Sequence, residues 1–280
     1  MKVKQYEEDI ELEGYISGMP DSVYHSTEGF TSKSSLHKFS QTTPFRFFNE
    51  EKKSPSRAMQ IGSALHAMVL EPEKFEKDYV LLPEIADRRQ PEYKRAKKVL
   101  GEEFVFVSGE AENLKGMFDS LMSNDKAKEL LSLDGWSEVS GFHTDKETGI
   151  SIRHRFDRLT KCGYAVDLKK TQSVKPEELS KTIFNFGYHW QDALYSDSYN
   201  EITGEELKGF YFIFVEETYP HEVAVVYIDD ISKQIGRDEY KVALKEYSLA
   251  IKNRDQVHNN NPAQMVSLPE WALRQYDDFI

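Results

Sequence analysis

The sequence predicts a mixed α/β fold, one central sheet with helices against it. Three observations carry this. Segments rich in β-branched and aromatic residues cluster between residues 136 and 229. Segments with helical spacing of apolar residues precede and interrupt them. No internal repeat, low-complexity tract or strong linker divides the 280 residues. The expectation is therefore a peripheral arm over residues 1–30 and a single domain over 31–280, its core at about 135–230.

Residues 1–30 are polar and acidic, with Gly14, Gly18 and Pro20, and read as loosely ordered. SKSSLHKFSQ (32–41) offers serine caps and short amphipathic spacing, and Pro44 opens a second short helix, PFRFFNEEKK. Met59, Ile61, Ala64, Leu65, Met68, Val69 and Leu70 mark a buried helix that ends before Pro72. EFVFV (103–107) is a short strand, and residues 109–132 are two helices broken near Ser123–Asn124. WSEVSGFHTD (136–145) and GISIRHRFDRL (149–159) flank the turn KETG as a hairpin. A second turn, TKCG, returns the chain into YAVDLKKTQ (164–172). Residues 176–187 and 188–203 are helices, with Pro176 suited to a first turn. GFYFIFVEE (209–217) and HEVAVVYID (221–229) are strands joined at Tyr219–Pro220. A long helix runs from about Ser232 to Lys252, and the tail beyond reads as irregular.

The charge balance narrows the function classes. Asp and Glu number 48 against 36 Lys and Arg, a net charge of −12, which argues against coating nucleic acid by charge alone. It leaves room for an enzyme that meets phosphates through bound cations and a local basic patch. Two basic clusters qualify. RRQPEYKRAKK holds Arg88, Arg89, Lys94, Arg95, Lys97 and Lys98; the hairpin holds Arg153, Arg155 and Arg158. The first is a solvated helix face or a line of phosphate contacts along a duplex. The single cysteine, Cys162, excludes an internal disulfide framework and Cys₄ metal sites, and predicts a reducing, cytoplasmic setting. No apolar run reaches the length of a membrane span, and MKVKQYEEDIELEG lacks the apolar core of a signal peptide.

The chemistry concentrates in AVDLKK (165–170). Asp167 and Lys169 are two apart in a strand and share a face. Asp157 lies near the end of the preceding strand, and the TKCG turn folds the two strands antiparallel, so the carboxylates meet at one end of the sheet. Two such carboxylates repel unless a divalent cation binds between them, and hard oxygen donors suit Mg²⁺ or Mn²⁺. A lysine beside the cation orients or deprotonates water, or offsets charge on a phosphate. The plainer alternatives are Asp157 paired with Arg155 or Arg158, and Asp167–Lys169 as a surface ion pair worth about 0–1 kcal/mol.

Asp157, followed ten residues later by Asp167-Leu168-Lys169, resembles the D…(D/E)xK signature of the PD-(D/E)xK nuclease superfamily. MQIGSALHAMVLEPEKF (59–75) resembles a helix of its RecE-type (exonuclease VIII) members, with His66 where a histidine lies near the metal. GYHWQDALY (187–195) resembles their Q-x-x-x-Y helix, with Gln191 and Tyr195 on one face. SEVSGFHTDKETGISIRHRFDRL resembles their acidic hairpin, and Glu138 falls where relatives such as lambda exonuclease carry a further metal-site carboxylate. SKSSLHKFSQTTPFRFFNEEKKS looks like their N-terminal helices, and the resemblance spans roughly residues 20 to 230. Three departures stand out: Phe156 in place of the proline, Asp167 in place of glutamate, and Lys170 where threonine is usual.

The resemblance implies a restriction-endonuclease-like core with N-terminal helical decoration. It implies a Mg²⁺-dependent exonuclease, with Mn²⁺ able to substitute, that degrades linear double-stranded DNA from 5′ ends. The 3′ single strands would feed a single-strand annealing protein in recombination, often phage-encoded, and the enzyme would be a homo-oligomer. In that reading Asp157, Asp167, the Leu168 carbonyl, Glu138 and His66 hold metal, and Lys169 positions the attacking water. Gln191 and Tyr195 hold the lysine region and contact DNA, and the basic clusters contact DNA as well. Two other functions remain open: an endonuclease of the same superfamily acting on foreign or host DNA, and a catalytically silent DNA-binding or interaction module. From the residues alone, His66 is also readable as a satisfied core histidine, Glu138 as a strand start, and Gln191 and Tyr195 as plain helix surface.

Overall fold

An eight-stranded mixed sheet runs through the chain. It is described from a computed structural model covering residues 1–51, 54–258, 263 and 265–274. In chain order the strands are β1 (Val3–Gln5), β2 (Gly14–Ser17), β3 (Phe30–Thr31), β4 (Val80–Leu82), β5 (Val105–Val107), β6 (Gly135–Thr144), β7 (Ser151–Thr160), β8 (Tyr164–Thr171), β9 (Gly209–Glu216) and β10 (Val223–Val226). The helices are α1 (Asp21–Ser26), α2 (Lys33–Ser40), α3 (Pro44–Asn49), α4 (Arg57–Leu70), α5 (Pro72–Asp78), α6 (Pro91–Leu100), α7 (Ser108–Ser123), α8 (Asp125–Ser132), α9 (Pro176–Asn185), α10 (Tyr188–Thr203), α11 (Asp230–Lys252) and α12 (Glu270–Leu273).

The sheet order is β1-β2-β6-β7-β8-β9-β10, with β3 added on β7; β4 and β5 form a separate parallel pair. The β6–β7–β8 meander is antiparallel, as its two short turns require. The β8–β9 pair is parallel, and α9 and α10 supply the crossover that such a pair needs. Strand alternation then sorts the core. Val166, Leu168, Ile213 and Val215 pack with α4, α7 and α8, while Ala165, Phe210, Phe212 and Phe214 pack with α9 and α10. A strand buried on both faces reads as an unbroken apolar run, which is why GFYFIFVEE shows no polar alternation.

Local signals set most boundaries. Asn124 ends α7 and caps α8 by accepting the Ala127 N–H at 3.0 Å, which is the break expected near Ser123–Asn124. Asp145 Oδ2 accepts from Thr148 N at 2.7 Å and closes the hairpin turn. Pro72 follows α4 as expected, but it also opens α5, which periodicity did not indicate.

Residues 1–30 depart from the loosely ordered arm expected. β2 pairs with β6 (Tyr15 opposite Gly141), β1 pairs with β2, and Tyr15 and Ile16 are fully buried. The composition concealed this because the buried apolar residues, Tyr15, Ile16, Met19 and Tyr24, are scattered among polar and acidic ones. Lys52 and Lys53, at the end of the expected second helix, lie outside the described residues, as do tail residues 259–262, 264 and 275–280. Among the described residues no helix is long and apolar enough to cross a membrane.

Candidate functional site

Three carboxylates stand level on three neighbouring strands. The β6–β7 register sets Ser137 against Arg158 and Val139 against Phe156, which leaves Glu138 opposite Asp157. The β7–β8 register sets Arg158 against Val166; one residue further it brings Asp157 opposite Asp167. The backbone ladder stops there, and Asp157 Oδ2 accepts the Leu168 N–H at 2.8 Å in its place. Glu138 has left-handed backbone, φ 48°. That conformation costs a non-glycine residue about 1–2 kcal/mol, so the fold holds strain beside Asp157.

α4 buries Ala64 and Leu65 and so places His66 over this row. His66 Nε2 lies 2.8 Å from the Leu168 carbonyl oxygen, to which an Nε2–H donates. Nδ1 then faces Asp157 Oδ2 at 3.5 Å and Glu138 Oε1 at 3.8 Å. One donor atom from each of the three residues lies within 4.8 Å of the others. Burial alone would lower the imidazole, but Asp157 and Glu138 outweigh it and raise its pKa to about 9. At neutral pH without a cation, His66 therefore carries a proton between two carboxylates. Two hard oxygens and an imidazole around that point are a fitting donor set for a divalent cation.

The β8 half is built differently. Asp167, 2% exposed, pairs with Lys169 Nζ through one oxygen and accepts the Gln191 side-chain amide through the other. Burial, followed by the charge of Asp157, raises the Asp167 pKa. Burial opposes the charge on Lys169, yet Asp167 and Asp157 prevail and hold its pKa above the ordinary value. Asp167 was expected among the metal ligands; its oxygens face Lys169 and Gln191, outside the His66–Glu138–Asp157 cluster. Tyr195, one turn beyond Gln191, packs edge-on to Phe156 at 5.2 Å and lines the cavity with His66, Glu138 and Asp157.

Sequence reasoning passed over Lys33. This first residue of α2 is buried, donates to the Phe186 carbonyl at 2.6 Å and lies 5.3 Å from the Tyr188 ring centre. Burial, then Lys169, lowers its pKa to about 7. A lone lysine among serines carries no sequence signal; the packing of α2 against α10 and α11 brings it here.

The hairpin arginines are engaged by partners within the fold, and Arg153 and Arg155 line the cavity that holds His66 and Asp157. Arg153 donates to the carbonyls of Tyr24 and Thr27. Arg155 is buried, with Ser140 Oγ at 2.9 Å, Asp21 Oδ1 at 2.5 Å and the Met19 carbonyl at 3.0 Å. Arg158 donates to Ser137 Oγ and the Leu133 carbonyl. In the second cluster Arg88 pairs with Glu110, Arg89 with Asp87, Arg95 with Glu92 and Lys97 with Glu102. Lys94 and Lys98 have no ion pair among the described residues, and none of the six lines the cavity that holds His66 and Asp157.

The chain resembles known proteins in its fold. No curated protein matches it by sequence. A "Putative exonuclease" from Eubacterium rectale has a similar structure, with TM-score 0.65 at 14% identity over 94% of this chain and 99% of that one. At that identity the likeness speaks for the fold. A phage related exonuclease from Haemophilus somnus 129PT is 15% identical over 81% of this chain and 96% of that one; its TM-score, 0.36, is too low to argue from. A PDDEXK-like domain of unknown function (DUF3799) matches residues 32–266, with the Asp157 and Asp167-Leu168-Lys169 constellation inside it. The chain belongs to this PDDEXK-like family.

Proposed function

We propose that the chain is a divalent-metal-dependent deoxyribonuclease. In its finer form it is a RecE-type exonuclease that degrades linear double-stranded DNA from 5′ ends and leaves 3′ single strands for recombination by strand annealing. One observation carries this reading. The cluster His66, Glu138 and Asp157 lies beside a buried carboxylate–lysine pair and lines a cavity of ≈ 1050 Å³. Asp157, Glu138 and His66 would hold Mg²⁺ or Mn²⁺, with Asp167 and the Leu168 carbonyl next to them. When bound, the cation offsets charge on the attacked phosphate and the leaving oxygen.

The protein groups then have distinct tasks. Lys169 stays an ammonium, because Asp167 and Asp157 favour its charge. It therefore donates to the attacking water or a phosphate oxygen rather than accepting a proton. Gln191 fixes Asp167, and Asp167 fixes Lys169. The bond from His66 Nε2 to the Leu168 carbonyl turns Nδ1 toward the carboxylates. The net charge of −12 suits an enzyme whose contact with DNA rests on a local site and bound cations.

The test is digestion of end-labelled linear duplex DNA and closed circular DNA, with Mg²⁺ or with EDTA. Wild type, Lys169→Ala and Asp157→Asn run side by side, each checked for folding by thermal melting. Metal-dependent loss of linear DNA alone, abolished in both folded variants, is the expected result, and the label reports polarity. Cutting of the circle would replace the exonuclease by an endonuclease. No metal-dependent digestion of either DNA would leave a silent binding module.

A further inference from the structure

A stack of aromatic rings leads from the site to the surface. Tyr188, the first residue of α10, has Lys169 Nζ 5.4 Å and Lys33 Nζ 5.3 Å from its ring centre. It stacks on buried Phe212 of β9, with centres 5.6 Å apart and planes at 28°. Phe186 stacks on Tyr188 at 5.8 Å and 18°. Those separations are the offset geometry aromatic pairs prefer. Phe186 is 60% exposed, so the stack ends in water.

The exposed ring is held in place. The Phe186 carbonyl accepts Lys33 Nζ at 2.6 Å, and its N–H donates to the Thr182 carbonyl at 3.0 Å. Gly187 follows with φ +63°, and a Cβ there would come within 2.6 Å of the His37 ring. The turn between α9 and α10 thus has a fixed backbone and a pre-positioned phenyl ring, which lowers the entropy lost on binding. Phe184, 65% exposed, stacks on His189 at 5.8 Å and 16° and offers a second ring at the end of α9.

We propose that Phe186 is a stacking platform for a nucleobase at the DNA end, beside the phosphate that Lys169 addresses. The inference rests on the nuclease reading and names a further contact for its substrate. Every nucleobase has a π-face able to extend the ring stack by one more layer. The Lys169 ammonium against Tyr188 gives the same spot the positive potential that a nucleotide's phosphate seeks. Base and phosphate of one nucleotide are therefore met together.

The test uses the full chain as wild type, Phe186→Ala and Phe186→Trp. Each digests a linear duplex, and the same duplex with one abasic site placed in turn at the first four nucleotides of either strand. Alanine should raise KM between about 5-fold and 150-fold on intact DNA, the range for loss of one base–aromatic stack. At one abasic position the wild-type KM should rise to the same value, with alanine adding nothing further. Tryptophan should restore binding of intact DNA. An unchanged KM in Phe186→Ala, or a cost that is the same on every abasic duplex as on intact DNA, overturns the proposal. Failure of the wild type to digest any duplex would sink the nuclease reading instead. Anisotropy with the same labelled duplexes would then decide the stacking claim: unchanged affinity in Phe186→Ala rejects it, and a loss that disappears at one abasic position supports it.

Discussion

The β8 half of the site and the β6–β7 half balance their charges in opposite ways. On β8, Asp167 has a partner on each oxygen: the Lys169 ammonium and the Gln191 amide. On β6 and β7, Glu138 and Asp157 share the single proton of His66, and Asp157 also takes the Leu168 N–H. The first half is a closed ion pair. The second holds two negative charges against one positive charge that can leave. The helix above each half makes the difference: α10 brings an amide, and α4 brings a titratable imidazole. A proton on His66 and a divalent cation are thus alternative ways to neutralise the same two carboxylates.

The closed half should be the one whose disruption costs most in stability. Lys169→Met strands the buried Asp167 charge and should lower stability by about 3–5 kcal/mol, measured by urea unfolding in EDTA. Adding Asp167→Asn to Lys169→Met should recover most of that loss. A single-variant cost below about 1 kcal/mol would show that the pair is solvated and would erase the contrast.

The open half should reveal itself through pH. The folded pKa of His66, about 9, lies above its ordinary value of 6.5. The sign follows: His66 contributes stability that is fully present below about pH 6.5 and lost as pH rises through about 9. The span corresponds to about 3 kcal/mol. Unfolding curves of metal-free protein from pH 6 to 10 should show this decline, and His66→Asn should flatten it. Excess Mn²⁺ should reverse the slope for wild type, because a cation competes with the proton and binds better as pH rises. A decline that survives in His66→Asn would place the titration elsewhere.

Gln191 should matter to activity more than to folding. It positions Asp167 and, through it, Lys169, so Gln191→Leu should lower the rate of DNA digestion between about 10-fold and 100-fold. Gln191→Glu puts a carboxylate against Asp167 and should do worse. If Gln191→Leu digests linear DNA at the wild-type rate, the amide is a packing contact and Lys169 is held without it.

What was legible in the sequence follows the same division. Asp167 and Lys169 were readable because a strand has a fixed two-residue period and the TKCG turn fixes the register with Asp157. His66 stood out as a polar residue on an otherwise apolar helix face. Contacts made at long range were not readable. Lys33 meets Phe186 across 153 residues, and Arg155 meets Asp21 across 134. A sequence displays an arginine's charge but not its partner, so the contacts that engage Arg153, Arg155 and Arg158 were not readable. Tyr15 and Ile16 were missed because a four-residue strand between glycines carries too little pattern to reveal its place in the sheet.

The smallest effect tests a feature with no sequence signal at all, the left-handed backbone of Glu138. Glu138→Ala and Glu138→Gly both remove the carboxylate, so both lose the contact with His66 and should bind Mn²⁺ more weakly. They differ in the backbone alone. At an ordinary strand position glycine is less stable than alanine by about 0.5–1 kcal/mol, because it loses more freedom on folding. At φ 48° alanine keeps the steric conflict and glycine has none, a difference of about 1–2 kcal/mol in the opposite direction. Glu138→Gly should therefore be more stable than Glu138→Ala by up to about 1 kcal/mol when the two are unfolded in urea at the same pH in EDTA. Measuring the pair above pH 9 removes the His66 charge from both and leaves the backbone effect by itself. If alanine proves the more stable of the two, the ladder opposite Asp157 is unstrained, and the position of the Glu138 carboxylate owes nothing to a forced turn of the chain.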